Sequence, residues 1–277
     1  MNIWTAESID LANTKDYLDQ LFQVYPMSKN EERPLDASTW AAVEAAYQAH
    51  DHAALLTALM PLSLFPIKDS YVAFLRTDPS ALARNPDTVK RLGLLLHDFT
   101  LEELYKRCSQ PKETNRQIGN MFGKWLSEKA LGIPELTPQE FANSAGDGVL
   151  LGNDNALLDA AKQWGYIDSK NKGLDFVCRF RGNKIIGEAK FLSAYGGNQN
   201  NQFKDALRVV QSTTAPDVVK LAILDGVVYI KKPLQQAGTT AADVNNYGYP
   251  YLVSHAENHK IMSALVLRDF LFSLPKK

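Results

Sequence analysis

The segment Leu174–Lys190, LDFVCRFRGNKIIGEAK, constrains this chain more than any other. Two runs rich in β-branched and aromatic residues flank Gly182-Asn183, and both read as strands. Gly and Asn tolerate positive φ, so the spacing predicts a tight hairpin with Gly182 and Asn183 as its loop. In that register Arg181 faces Lys184, Val177 faces Glu188, and Asp175 faces Lys190. Side chains alternate along a strand, so Asp175, Glu188 and Lys190 share one face. Phe176, Cys178, Phe180, Ile185, Gly187 and Ala189 take the other, an apolar set fit for a core.

Two carboxylates a few Å apart repel each other unless a cation lies between them. Hard oxygen ligands of that kind suit Mg²⁺, which keeps several waters and often binds a phosphate as well. An ammonium beside the metal can orient a water or help deprotonate it, and can neutralise charge on a pentavalent phosphorus. These are the parts needed for metal-assisted phosphodiester hydrolysis. The same residues also fit an amphipathic edge hairpin whose charges are only solvated.

The arrangement Asp175, hairpin, Glu188-Ala189-Lys190 resembles the PD-(D/E)xK nuclease superfamily. Residues 65–93, 113–126 (ETNRQIGNMFGKWL) and 187–203 (GEAKFLSAYGGNQNNQF) are similar to type II restriction endonucleases. Leu174 stands where the motif's name has proline. The resemblance implies an α/β fold: a mixed β-sheet PD-(D/E)xK-like core flanked by helices, with an N-terminal helical subdomain. It implies Asp175 as first acid, Glu188 as second and Lys190 as the lysine, with Mg²⁺ held by Asp175, Glu188 and the carbonyl of Ala189. It further implies in-line cleavage of double-stranded DNA to leave a 5′-phosphate and a 3′-hydroxyl. One catalytic hairpin per chain, with no internal duplicate, favours a homodimer that cuts both strands. The alternatives are a repair or junction-resolving nuclease with the same core, and a non-catalytic DNA-binding protein.

Composition agrees without deciding. The 277 residues are 45% hydrophobic, enough for a full core, and the formal charge of −1 gives no global pull towards a polyanion. DNA binding must then rest on local patches. Two cysteines, Cys108 and Cys178, make no disulfide framework, so a reducing, cytoplasmic setting is expected. The N-terminus lacks a secretory pattern, and no apolar run is long enough to span a membrane.

Along the chain, apolar spacing predicts helices over 18–24, 38–60, 69–75 and 87–96, with Asp36 or Ser38 as a cap for the second. A capping box opens a helix at Thr100 with Glu103. The longest amphipathic stretch runs from 114 to 131, with Gly132 as its stop. Helices follow over 139–145 and 155–164, then the hairpin, a polar stretch at 195–202 and a helix over 203–212. VVKLAILDG and VVYIKK read as strands joined at Asp225-Gly226; 234–250 reads as a loop and 255–274 as a helix. No linker stands out, so residues 1–110 form the expected helical subdomain and 111–277 the catalytic core.

The polar stretch supplies candidate DNA contacts, Asn198, Gln199, Asn200, Asn201 and Gln202, since Asn and Gln can pair bidentately with adenine. Residues 235–249 are a second such stretch, and each could equally be a solvated loop. Glu128 is an acid on the helix before the core, where exposure is the plainer explanation. His255 and His259 stand at i, i+4 with no third zinc ligand.

Overall fold

The computed structural model of the chain describes residues 1–26, 32–111, 121–168, 173–233 and 239–277. They form two compact units, residues 1–27 with 114–277, and residues 28–113. The helices α1 (Ile3–Thr14) and α2 (Tyr17–Val24) group with the sheet-bearing unit rather than with the helices that follow them in sequence, a grouping that differs from the expected division at 110. The reason is long-range contact: Ile9, Tyr17, Leu21 and Val24 are buried in one core with Leu224, Tyr229, Ile261 and Leu267.

The first unit is built on a six-stranded mixed sheet in sequence order: β1 (Glu135–Leu136), β2 (Gly148–Leu150), β3 (Phe176–Phe180), β4 (Asn183–Leu192), β5 (Val218–Gly226) and β6 (Ile261–Met262). β2, β3 and β4 are antiparallel neighbours, whereas β4, β5 and β6 run parallel. A parallel pair needs a crossover, and the helix Gly197–Gln211 supplies it between β4 and β5. Both sheet faces carry apolar cores. Phe176, Cys178, Ile185 and Ala189 pack in one cluster, while Leu174, Val177 and Ile186 pack with Leu157, Leu158 and Val209 in another. β4 is therefore a central strand, and the edge-hairpin reading does not hold.

The hairpin differs from expectation by two residues. Phe180 pairs with Asn183 and Val177 with Ile186. The loop is Arg181-Gly182, with φ of 53° and 76° at the two positions. A two-residue hairpin of this hand needs positive φ at both central residues, and glycine at the second is the favoured arrangement. Asn183 instead begins β4, where its side-chain amide donates to the carbonyls of Phe180, Arg181 and Pro275. A slip of two positions preserves the alternation, so Asp175, Glu188 and Lys190 still share a face.

Three further elements depart from the sequence reading. Asp225-Gly226 is not a hairpin turn: β5 pairs with β4 and β6, and residues 227–229 form a short 3-10 turn. Gly226, at φ 95°, lets the chain pass the end of β4, where a Cβ would meet the Leu192 carbonyl oxygen at 2.1 Å. Two helices, Ala241–Tyr247 and Tyr249–His255, occupy most of the expected 234–250 loop, and residues 234–238 of it lie outside the described residues. The expected C-terminal helix divides into β6, a 3-10 turn and the helix Leu267–Ser273. Of the expected 114–131 helix, 114–120 lie outside the described residues and 121–126 are helical.

The second unit contains α3 (Ala37–Gln48), α4 (His52–Leu59), α5 (Ser70–Thr77), α6 (Ala81–Arg84), α7 (Pro86–His97) and α8 (Leu101–Cys108) around its own core of Val43, Leu55, Leu56, Leu59, Leu92, Leu96 and Leu104. Asp36 caps α3, and the Thr100–Glu103 capping box opens α8, both as read from sequence. The expected 38–60 helix is broken at His50, which takes φ of 50°, before Asp51 caps α4.

Candidate active site

The hairpin brings Asp175, Glu188 and Lys190 together. Asp175 enters β3 one residue before its first ladder pair, and its amide donates to Gly187 O at 3.2 Å. Its Oδ2 accepts the Ala189 amide at 3.0 Å and the Lys190 ammonium at 2.9 Å. The ammonium also lies 2.6 Å from Glu188 Oε1. The carboxylates thus flank one cation already, which satisfies the demand of two like charges at close range.

Glu188 is only 8% exposed, and its Oε2 is a buried oxygen without a hydrogen-bond partner. Burial foremost, then the Asp175 charge, raises its carboxyl to about 7, against the counter-effect of Lys190. Burial alone would lower the Lys190 ammonium, yet the charges of Asp175 and Glu188 outweigh it and hold its pKa above the ordinary lysine value. An orphaned carboxylate oxygen beside a second carboxylate is a hard-oxygen donor set that fits a divalent cation such as Mg²⁺. Among the described residues no three His, Cys, Asp or Glu side chains gather closely enough to form a metal cage. The site therefore offers two carboxylates, a set suited to a cation that keeps much of its water.

Sequence reasoning passed over a group of charged residues on and near the crossover helix. The crossover helix directs Phe203, Ala206, Leu207 and Val210 into the core. Asp205 and Arg208 lie off that stripe. Arg208 Nη2 donates to Asp205 at 2.7 Å, and Nη1 lies 3.6 Å from Asp168. The Asp205 charge acts on Glu188, and Tyr166 is raised to about 12 by burial and then by Asp168 and Glu188. Only the helical period of 203–210 signalled which side of that helix faces the sheet. Nothing local indicated that the Asp205 charge would act on Glu188.

The five candidate DNA contacts separate. Asn200 ties the turn, its Oδ1 accepting from Gly196 N at 2.9 Å and its Nδ2 donating to Asp243 at 2.7 Å. Gln199 Oε1 accepts from Ser193 N at 3.3 Å. Asn198 and Asn201 are exposed and Gln202 is half-buried. Glu128 is exposed and sits 3.9 Å from Lys124. His255 ends its helix stacked on Tyr251, and His259 lies beyond it, so the two do not share a helix face.

The sequence model of the Tsp45I type II restriction enzymes matches residues 2–274, nearly the whole chain. The chain belongs to that family. No curated protein and no solved structure matches it. As a type II restriction enzyme it is a site-specific nuclease that binds DNA. This restriction enzyme has a mixed α/β architecture, and among its described residues no helix is long and apolar enough to cross a membrane.

Proposed function

We propose that the enzyme hydrolyses double-stranded DNA with Mg²⁺ at Asp175, Glu188 and Lys190, on a core of the PD-(D/E)xK type. The observation that carries the reading is the buried, unpartnered Oε2 of Glu188 on a central strand, beside Asp175 and Lys190. Asp175 and Glu188 would hold the cation, with the Ala189 carbonyl as a further oxygen. When bound, Mg²⁺ supplies positive charge to the scissile phosphate and acidity to a coordinated water.

Lys190 is held as an ammonium, so its part is to orient the attacking water and offset phosphate charge rather than to accept a proton. The attacking water releases a proton to solvent and its oxygen bonds to phosphorus as the bond to the 3′ oxygen breaks. The 3′ oxygen takes up a proton and the phosphate stays on the 5′ side. Two copies related by a two-fold axis would cut both strands of a palindromic site, in the cytoplasm. Asn198 and Asn201, exposed at the start of the crossover helix, are the base-reading candidates this geometry favours, with Gln202 beside them.

The test is a digest of plasmid DNA with Mg²⁺, with and without chelator, by wild type and Glu188→Gln. Discrete double-strand fragments from wild type alone, lost with chelator, are expected. Equal cutting by both proteins, or cutting that survives the chelator, rejects this site. Nicking of single strands without discrete fragments would favour the repair-nuclease alternative.

A further inference from the structure

Three histidines gather within the second, helical unit. His97 lies in the last turn of α7. Its ring stacks on that of His50 with centroids 4.5 Å apart, and meets that of His52 edge-on at 5.3 Å. Tyr47 of α3 packs on the same ring at 4.5 Å, and its hydroxyl donates to Phe99 O at 3.0 Å. One imidazole thus touches α3, the α3–α4 turn and the start of α4. Gly93 stands one turn before His97 on the same side of α7 and makes the room: a Cβ there would meet the His52 ring at 2.3 Å. His50 shapes the turn with φ of 50°, and the His50 and Asp51 amides donate to Tyr47 O and Ala46 O, each at 3.1 Å.

We propose that this cluster is an acid-released clamp: protonation of His97 frees the α3–α4 turn from α7. A neutral imidazole carries one N–H and one lone pair, whereas an imidazolium carries two N–H groups. His97 Nε2 and His52 Nδ1 are both buried without a hydrogen-bond partner. A proton added to either atom leaves a buried N–H with no acceptor, which the closed cluster disfavours. The facing groups give no relief. His50 on the turn and His52 on α4 bring only further positive charge on acidification. Tyr47 on α3 is neutral throughout that range. Asp51 accepts from the Ala54 amide at 2.9 Å, and Asp98, next to His97 on α7, is exposed. The charges that act on His97 are those of His50 and His52. The carbonyl end of α7 favours a cation. Burial foremost, then the two histidines, nevertheless lowers His97 below its ordinary value. Among the described residues no three such side chains form a metal cage, so proton binding is the chemistry this cluster offers. Well above pH 6.5 the closed and opened forms are both neutral and the clamp holds. Below it the opened form takes up a proton that the closed form refuses, so closure weakens as pH falls.

The clamp is tested on the full chain by hydrogen exchange with mass spectrometry at pH 7.5 and 5.5, each rate corrected for the intrinsic pH dependence of amide exchange. The amides of residues 47–55 are read against those of β4. Wild type should lose protection in 47–55 by about tenfold at pH 5.5, the effect of one proton taken up a pH unit below an ordinary value of about 6.5. His97→Phe keeps an aromatic ring in the stack but takes no proton, and should lose most of that response. His50→Asn tolerates positive φ and removes one facing cation, so the His97 ring, followed through its Cε1–H resonance, should titrate at a higher pH than in wild type. A wild-type change below twofold, an equal change in His97→Phe, or a wild-type His97 ring that titrates at 6.5 or above overturns the proposal. An unshifted His97 titration in His50→Asn overturns the part given to His50. Should His97→Phe lack a cooperative thermal melt, the wild-type exchange and the two ring titrations decide.

Discussion

Lys190 Nζ lies 2.6 Å from Glu188 Oε1, on the same face of one central strand. Residues two apart in a strand project the same way, so the pairing comes directly from the Glu-Ala-Lys spacing. Its consequence is that the lysine stabilises the site before it serves any chemistry. Lys190→Ala should leave Asp175 and Glu188 facing each other without a cation. We expect a loss of about 1–3 kcal/mol in the metal-free protein, measured by urea unfolding at pH 8, and partial recovery on adding Mg²⁺. Cleavage should fall by orders of magnitude, and Lys190→Arg should not restore it fully. Unfolding midpoints that ignore Mg²⁺ in the alanine variant would count against a cation at this position.

Glu188→Gln tests the opposite balance. The Glu188 carboxyl is raised to about 7, so at pH 8 its charge is held against the preference of its surroundings. The amide removes that charge and leaves Lys190 paired with Asp175. Cleavage should be abolished, while the metal-free melting temperature should match or exceed wild type. A sharply lower melting temperature would show that the carboxylate is structural. Asp175→Asn should also abolish cleavage, and binding to cognate DNA should survive because negative charge facing the phosphates is reduced.

Asp225 should impose a pH dependence on stability. It is fully buried, and its carboxylate accepts from Tyr17, Tyr25, Ser263 and the Ala264 amide. Burial raises it from 3.8 to about 6, although those hydrogen bonds oppose the rise. Between these values the folded protein keeps a proton that the unfolded chain releases. The favourable contribution is therefore complete at low pH and is lost as pH rises through about 6. Its ceiling is ~3 kcal/mol, because each tenfold gain in proton affinity is worth about 1.4 kcal/mol. Subtracting the Asp225→Asn stability curve from wild type cancels the other acids, and the difference should fall between pH 4 and 6.5. Parallel curves would falsify the assignment.

The polar turn after β4 predicts a division of labour among adjacent asparagines. Asn200→Ala breaks the bonds to Gly196 and Asp243, so it should cost about 1–2 kcal/mol of stability. Asn198→Ala and Asn201→Ala should leave the melting temperature unchanged. If either side chain reads a base, its loss should relax discrimination at one base pair by about 1–3 kcal/mol, measured as relative cleavage rates on a panel of altered sites. Unchanged rates across the whole panel for both variants would exclude this turn from sequence reading.

Some features were legible because they depend on neighbours in sequence. The capping box at Thr100 and Glu103 and the Asp36 cap were of this kind. Others were hidden because a distant segment decided them. Asp225-Gly226 carries the signature of a turn, yet α2 buries the Asp225 carboxylate under two tyrosine hydroxyls and β6 pairs alongside it. The region 234–250 is polar, rich in Thr, Asn and Gly, and reads as loop, but Ala241–Tyr247 and Tyr249–His255 are helices, with Leu252 buried and Tyr247 and Tyr251 packed on Phe203.

The candidate site divides along the same line. Alternation of side chains by itself determined that Asp175, Glu188 and Lys190 share a face, since a period of two is unchanged by the two-residue difference between expected and observed register. It also placed Phe176, Cys178 and Ile185 in a core opposite them. The register itself was decided by the turn, where the backbone needed positive φ at Arg181 and Gly182. Burial of Glu188 came only from tertiary structure. A parallel β4–β5 pair requires a crossover, and β4 lies between β3 and β5 in the middle of the sheet, where Glu188 is buried.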